Sequence, residues 1–192
     1  KLVVEKEDEK KKYLCAKVNN RIRELSYELY YDAEVEFLSL EDEEAMYVYE
    51  TSLRYLLAMS FYKVNPDIQL KLSYYESRSI YGVILNDDIK ISQDLLDKVE
   101  AKMNELVNND FILSRSIVLN EEAKEIYKQY NMLDKIDLLK YRPEKTVHFY
   151  KCDDYMNYMY GYMVPSLGYI NKWRIKLHHK GFIIQYPRYE CR

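Results

Sequence analysis

The sequence predicts an α+β fold. Runs with period-two alternation of apolar and polar residues recur towards both ends of the chain. Between them, Glu41–Val64 and Ile91–Asn108 carry apolar residues at spacings of three and four, the mark of amphipathic helices. A hydrophobic content of 48% with only four glycines places the chain among packed globular proteins rather than disordered ones.

Residues 1–40 read as a small β-rich unit. "KKYLCAKV" alternates as a strand, Asn19-Asn20 is a turn signal, and "RIREL" is the returning strand. "AEVEFLSL", Ala33 to Leu40, alternates again and offers Val35, Phe37 and Leu38 to a core. The unit is short for an independent domain.

Residues 41–192 read as a mixed domain. The helical run Glu41–Val64 has acidic residues in its first turn, where the helix dipole favours them. Leu53, Leu56, Leu57 and Phe61 form its apolar stripe, and Asn65-Pro66-Asp67 ends it. "IQLKLSYY" and "SIYGVILN" are strands. The helix Ile91–Asn108 presents Leu95, Val99, Met103 and Leu106. "FILSRSIVL" is a strand, Asn120 is expected to cap a helix running to Tyr130, and "MLDKIDLLK" continues helically. From Thr146 the chain is mostly strand: "TVHFYK", "KWRIKL" and "GFIIQY".

Several chemistries are absent from the sequence. It contains no G-x-x-x-x-G-K-[ST] or G-x-G-x-x-G loop and no C-x-x-C pair. His148, His178 and His179 have no spacing suited to zinc, and strand alternation predicts opposite faces for His178 and His179. Cys15, Cys152 and Cys191 are scattered and odd in number, which reads as reduced thiols in a cytoplasmic protein. No run of about 18 apolar residues is available to span a membrane, and the charged N-terminus lacks a signal core. The net charge of −3 is unevenly spread. The segment Lys140–Arg192 has 10 basic and 4 acidic residues, against 19 and 28 before it. That tail either presents a basic face to phosphate or RNA or is ordinary solvated surface.

Two segments carry a resemblance: "TSLRYLLA" from Thr51 and "YMYGYMVPSLGYINKW" from Tyr158 to Trp173. Their setting resembles the N-terminal editing region of bacterial-type threonyl-tRNA synthetases, where a small TGS (ubiquitin-like) unit precedes an α+β editing domain. That domain's signature is His-x-x-x-His on a helix and a later Cys-x-x-x-His. Here Thr51 and Tyr55 stand at the first pair of positions and Met159 and Met163 at the second, while Leu56-Leu57-Ala58, Gly161, Val164-Pro165 and Gly168 keep the frame. The substituted form looks more specifically like the N-terminal half of bacterial nucleoside (uridine) kinase-like proteins. "AKVNN", "EVEFLSL", "DKIDLLKYR", "YGYMVPSLGYI" and "GFIIQYPR" carry that likeness from Leu14 to Arg188.

The resemblance implies residues 1–40 as a TGS-like unit, incomplete as it stands, and 41–192 as an editing-like domain lacking the metal ligands. It implies a non-catalytic accessory region that binds a ligand or RNA and has no cofactor of its own. ATP and magnesium are expected only in a P-loop kinase domain in cis after Arg192. A homo-oligomer is also compatible with this reading. The loop Tyr158–Tyr169 is expected against the helix carrying Thr51 and Tyr55, because the two ligand pairs of the resembling synthetases converge. Tyr160 and Tyr162 would line any remaining cleft, with Arg174 and Lys176 available to an anion. The sequence also leaves open a degenerate or zinc-independent aminoacyl-ester hydrolase, with Ser52, Tyr55, Tyr162, Ser166 and His148 as candidates, and a purely structural or dimerising module. In the structural reading, Met159 and Met163 fill the former ligand cavity. Gly161 and Gly168 then serve turn geometry, Pro165 stiffens a loop, and Trp173 packs in the core.

Overall fold

The computed structural model describes residues 11–74, 79–130, 133–141 and 143–187. The charged N-terminus, Arg188 and Cys191 lie outside the described residues. The architecture is α+β, with three antiparallel sheets arranged around one long helix.

β1 (Tyr13–Val18) and β2 (Arg21–Arg23) form a hairpin. Its turn is made by Asn19 and Asn20 at φ of 46° and 61°, a conformation that asparagine tolerates better than most side chains. β3 (Val35–Ser39) pairs with the other edge of β1, giving the order β2-β1-β3. Leu14, Cys15 and Leu38 from this sheet are buried in the same core as the long helix, while Val35 and Phe37 are half-buried.

α1 (Glu43–Val64) is that helix. Glu43 and Glu44 occupy its first turn, and Asn65 leaves it in an extended conformation imposed by the following proline. Leu53, Tyr55, Leu56, Leu57 and Phe61 are all buried, together with Tyr49, Ser52 and Ser60, and from Tyr55 to Phe61 they cover about two thirds of the helix circumference. A helix buried this far round is enclosed by its neighbours rather than resting on a surface.

The second sheet joins β4 (Leu70–Tyr74) and β5 (Ile80–Ile84) to the C-terminal β9 (Arg174–His178) and β10 (Gly181–Gln185), in the order β4-β5-β10-β9. α2 (Gln93–Asn108) begins after Ser92, whose hydroxyl accepts the Leu95 N–H at 3.2 Å. Its buried face is Leu96, Val99, Met103 and Leu106. Leu95, expected on that face, is only half-buried, because Leu96 completes the spacing of three to Val99.

The third sheet contains β6 (Ser114–Leu119), β7 (Thr146–Cys152) and β8 (Tyr155–Tyr158), in the order β6-β7-β8. β8 is four residues long and was not legible as a strand of its own. Asp153, at φ 53°, turns the chain into it. α3 (Asn120–Gln129) and α4 (Leu133–Leu139) help enclose a second, smaller core of Val118, Ala123, Tyr127, Leu139, Val147 and Phe149. Asn120 is not the side-chain cap the sequence suggested. It lies inside the first turn, and its Nδ2 donates to the Glu144 carbonyl at 2.8 Å, tying α3 to the approach of β7.

His178 and His179 also depart from expectation. His179 has φ 50° and opens the β9–β10 turn, so strand alternation stops there and the two rings meet edge to face at 4.1 Å. Trp173 is half-buried against the main core. No helix among the described residues is long and apolar enough to cross a membrane.

Candidate functional site

The loop from Met159 to Lys172 crosses α1 and is fixed to it at three places. The Val164 N–H donates to Ser52 Oγ at 3.0 Å. Gly161 lies over Thr51, where an added Cβ would stand 3.1 Å from Thr51 Oγ1. Further along, the Tyr49 hydroxyl donates to the Lys172 carbonyl at 2.7 Å and accepts the Lys172 N–H at 2.9 Å. Residues before β6 hold the loop's far side. Leu113 N–H donates to the Pro165 carbonyl at 2.8 Å, and Leu167 N–H to the Phe111 carbonyl at 3.0 Å.

Gly168 donates to Asp110 Oδ1 at 2.7 Å, and Lys11 pairs with the same carboxylate at 2.6 Å. Neither Gly161 nor Gly168 has a positive φ. The two glycines therefore serve close approach, to Thr51 and to Asp110, and not the turn geometry expected of them.

The four positions that match the resembling ligands have distinct surroundings. Thr51 is half-buried and lines a cleft. Tyr55, one turn on, is fully buried, with its hydroxyl 3.0 Å from the Tyr150 carbonyl and 3.1 Å from the Tyr155 carbonyl. Burial drives its ionisation far above the ordinary tyrosine range, so its oxygen is neither a base nor an anionic ligand. Met163 is buried in the main core and Met159 packs half-buried against it. A hydroxyl committed to two carbonyls, a threonine and two thioethers do not fit zinc. Among the described residues, no group of three or more His, Cys, Asp or Glu side chains is gathered for a metal ion.

The cleft beside Thr51 has a volume of about 210 Å³. Ile22 of β2, Glu44, Tyr47, Val48 and Thr51 of α1, and Gly161 and Tyr162 of the crossing loop line it. Glu44 is ion-paired with Lys17 at 2.8 Å, and that hydrogen bond holds its carboxyl below the usual range. Tyr162 is gripped from two sides. Arg23 Nη1 donates to its hydroxyl at 3.2 Å, and the Arg115 guanidinium lies 5.1 Å from its ring centre. Ile22, Arg23 and Arg115 were invisible as site residues in the sequence, where "RIREL" and "FILSRSIVL" read only as strands.

Tyr160 is 95% exposed and is not part of the cleft wall. Arg174 and Lys176 are exposed on β9, and Arg174 lines a separate hollow with Trp173, Gln185 and Tyr186. The structure thus brings Thr51, Gly161 and Tyr162 together, with Arg174 in a different hollow.

The residues considered for hydrolysis are engaged separately. Ser52 is buried, donates to the Val48 carbonyl at 2.7 Å and accepts from Val164. Ser166 bonds the Asp110 side chain. His148 Nδ1 lies 3.0 Å from Arg115 Nη2.

No family model matches the chain. The chain is 31% identical over 159 residues to the threonine–tRNA ligase of Clostridium kluyveri, covering 82% of this chain and 25% of the ligase. Most of this chain is a threonyl-tRNA synthetase-like region. The threonine–tRNA ligases of Carboxydothermus hydrogenoformans and Clostridium botulinum are 25% and 26% identical to it over 166 residues, 86% of the chain. The synthetase-like region spans about a quarter of the length of these curated relatives. Its α+β architecture fits the editing-like domain that the sequence resembles.

Proposed function

We propose that this synthetase-like region is a non-hydrolytic ligand-binding module, holding the nucleoside end of a nucleotide or RNA in the Thr51–Gly161–Tyr162 cleft. The observation that carries the reading is the fate of the four matching positions. Thr51 faces an open cleft, while Tyr55 and Met163 are consumed by the core. Without a group that lowers the pKa of a water, or a nucleophile set beside a base, the cleft can bind but has nothing to drive ester cleavage. Tyr162 and Tyr47 supply flat apolar faces for a base or sugar.

We further propose that the longer protein is nucleoside (uridine) kinase-like, with ATP and magnesium bound by a P-loop domain following residue 192. The strings quoted above support that parentage, and a G-x-x-x-x-G-K-[ST] sequence encoded downstream would test it directly. The similarity to threonine–tRNA ligases favours a second reading, in which aminoacyl-ester hydrolysis persists.

Isothermal titration with adenosine and uridine monophosphates tests the cleft. Saturable binding is expected, and it should be lost in Thr51→Phe, whose ring would occupy the cleft. Absence of binding, or binding unchanged in Thr51→Phe, would overturn it. Release of amino acid from an aminoacyl-tRNA above the uncatalysed rate would replace the binding reading with the hydrolytic one.

A further inference from the structure

Six side chains beside the cleft form a continuous series in which aromatic and cationic groups are interleaved. The Tyr31 and Tyr27 hydroxyls lie 3.4 Å apart. The Arg23 guanidinium sits 5.0 Å from the Tyr27 ring centre and donates to the Tyr162 hydroxyl at 3.2 Å. Arg115 then covers the Tyr162 ring. His148 adjoins Arg115 and ends the series.

The series crosses a junction between parts distant in the chain. Tyr31, Tyr27 and Arg23 come from β2 and the segment after it, Tyr162 from the loop over α1, and Arg115 from the edge strand β6. Tyr27, Tyr31 and Arg115 are exposed, Arg23 and Tyr162 half-exposed. Arg23 Nε is a buried donor with no acceptor among the described residues. Two carboxylates close in sequence bond tyrosine hydroxyls and not Arg23: the Tyr150 hydroxyl donates to Glu24 Oε2 at 2.7 Å, and Tyr30 bonds Glu28. Two guanidiniums separated by aromatic faces are what an unpaired nucleic-acid strand requires. Phosphates are met by fixed positive charge, and bases by flat apolar rings. Guanidinium is also the donor group best matched to phosphate oxygens.

We infer that Tyr31, Tyr27, Arg23, Tyr162 and Arg115 form a track for single-stranded nucleic acid, which bonds the phosphate backbone and stacks on bases without reading their sequence. The inference goes beyond the cleft reading and shares only Tyr162 with it, so the decisive variants lie at Arg115 and Tyr27. Stacking and phosphate contacts do not select the sugar, so RNA and DNA strands should both bind. A duplex keeps its bases stacked within itself and should bind at least tenfold more weakly.

The test is fluorescence anisotropy of the full chain with a labelled uridine oligomer of roughly eight nucleotides, at several salt concentrations. Arg115→Ala should weaken binding about tenfold and reduce the slope of log affinity against log salt by roughly 0.7. Tyr27→Ala should weaken binding by a similar factor with the slope unchanged. Both positions are exposed, and circular dichroism should show both variants folded. No binding at low salt, wild-type affinity in both Arg115→Ala and Tyr27→Ala, or preference for the duplex would each overturn the track. Oligomer binding abolished by Thr51→Phe but not by Arg115→Ala would place the strand in the cleft and also overturn it. Failure of mononucleotides to bind, with oligomer binding still dependent on Arg115 and Tyr27, would remove the cleft reading and leave the track standing.

Discussion

Ser52 and Val164 are 112 residues apart, yet the Val164 N–H donates to Ser52 Oγ at 3.0 Å while that hydroxyl donates to the Val48 carbonyl one turn back. One buried hydroxyl therefore satisfies a loop amide and a helix carbonyl together. It fixes the loop that carries Gly161 and Tyr162 over the helix that carries Thr51. Ser52 is a positioning residue, and its bonds leave no lone nucleophile.

Ser52→Ala should destabilise the chain by about 1–3 kcal/mol, the cost of a buried amide left without an acceptor. Urea denaturation measures the loss, and amide exchange should show Val164 losing protection first. An unchanged midpoint together with full protection at Val164 would contradict the anchoring role.

Purified protein should hold far less than one zinc per chain by elemental analysis. The expectation rests on the donors at Thr51, Tyr55, Met159 and Met163. Tyr55→Phe should cost about 1 kcal/mol of stability through the lost carbonyl contact and leave the metal content unchanged. One tightly held zinc per chain, released by Tyr55→Phe, would overturn this account of the site.

Gly82→Ala should cost about 1–3 kcal/mol. Its Cβ would stand 2.1 Å from the Phe182 ring, which is fully buried and stacked on Phe61 at 5.3 Å between ring centres. The ring has no free side to move to. Denaturant unfolding that shows wild-type stability would mean that the β5–β10 pairing can shift.

Stability should fall above about pH 9. Burial pushes the Cys15 and Cys152 thiols up to about 12 from an ordinary 9.0, and Tyr49 to about 12 from 10.0. The folded state keeps these protons where the unfolded chain releases them. The stabilisation is complete below 9 and is lost as pH rises towards 12, at about 1.4 kcal/mol per thiol for each pH unit. Urea midpoints at pH 8 and pH 10.5 check this, and Cys15→Ala should shrink the difference. Equal midpoints would contradict it.

Local patterns in the sequence were sufficient for the α+β class, α1, the Asn19-Asn20 hairpin and nearly every strand, because periodicity and turn residues act over short stretches. They failed where a neighbour decided the outcome. The α2 face settled on Leu96 rather than Leu95, Asn120 was taken up by the Glu144 carbonyl instead of capping, and His179 left strand geometry to make a turn.

The candidate site divides the same way. That Thr51, Tyr55, Met159 and Met163 lack good metal donors is a matter of residue chemistry, and the sequence alone determined it. That Thr51 faces a cleft while Tyr55 serves two carbonyls was decided only by tertiary structure. The same holds for Arg23 and Arg115 meeting at Tyr162. Those three side chains come from a hairpin, an edge strand and a loop, and no local pattern records a contact between segments as many as 139 residues apart. Only the packing of α1 against three sheets creates it.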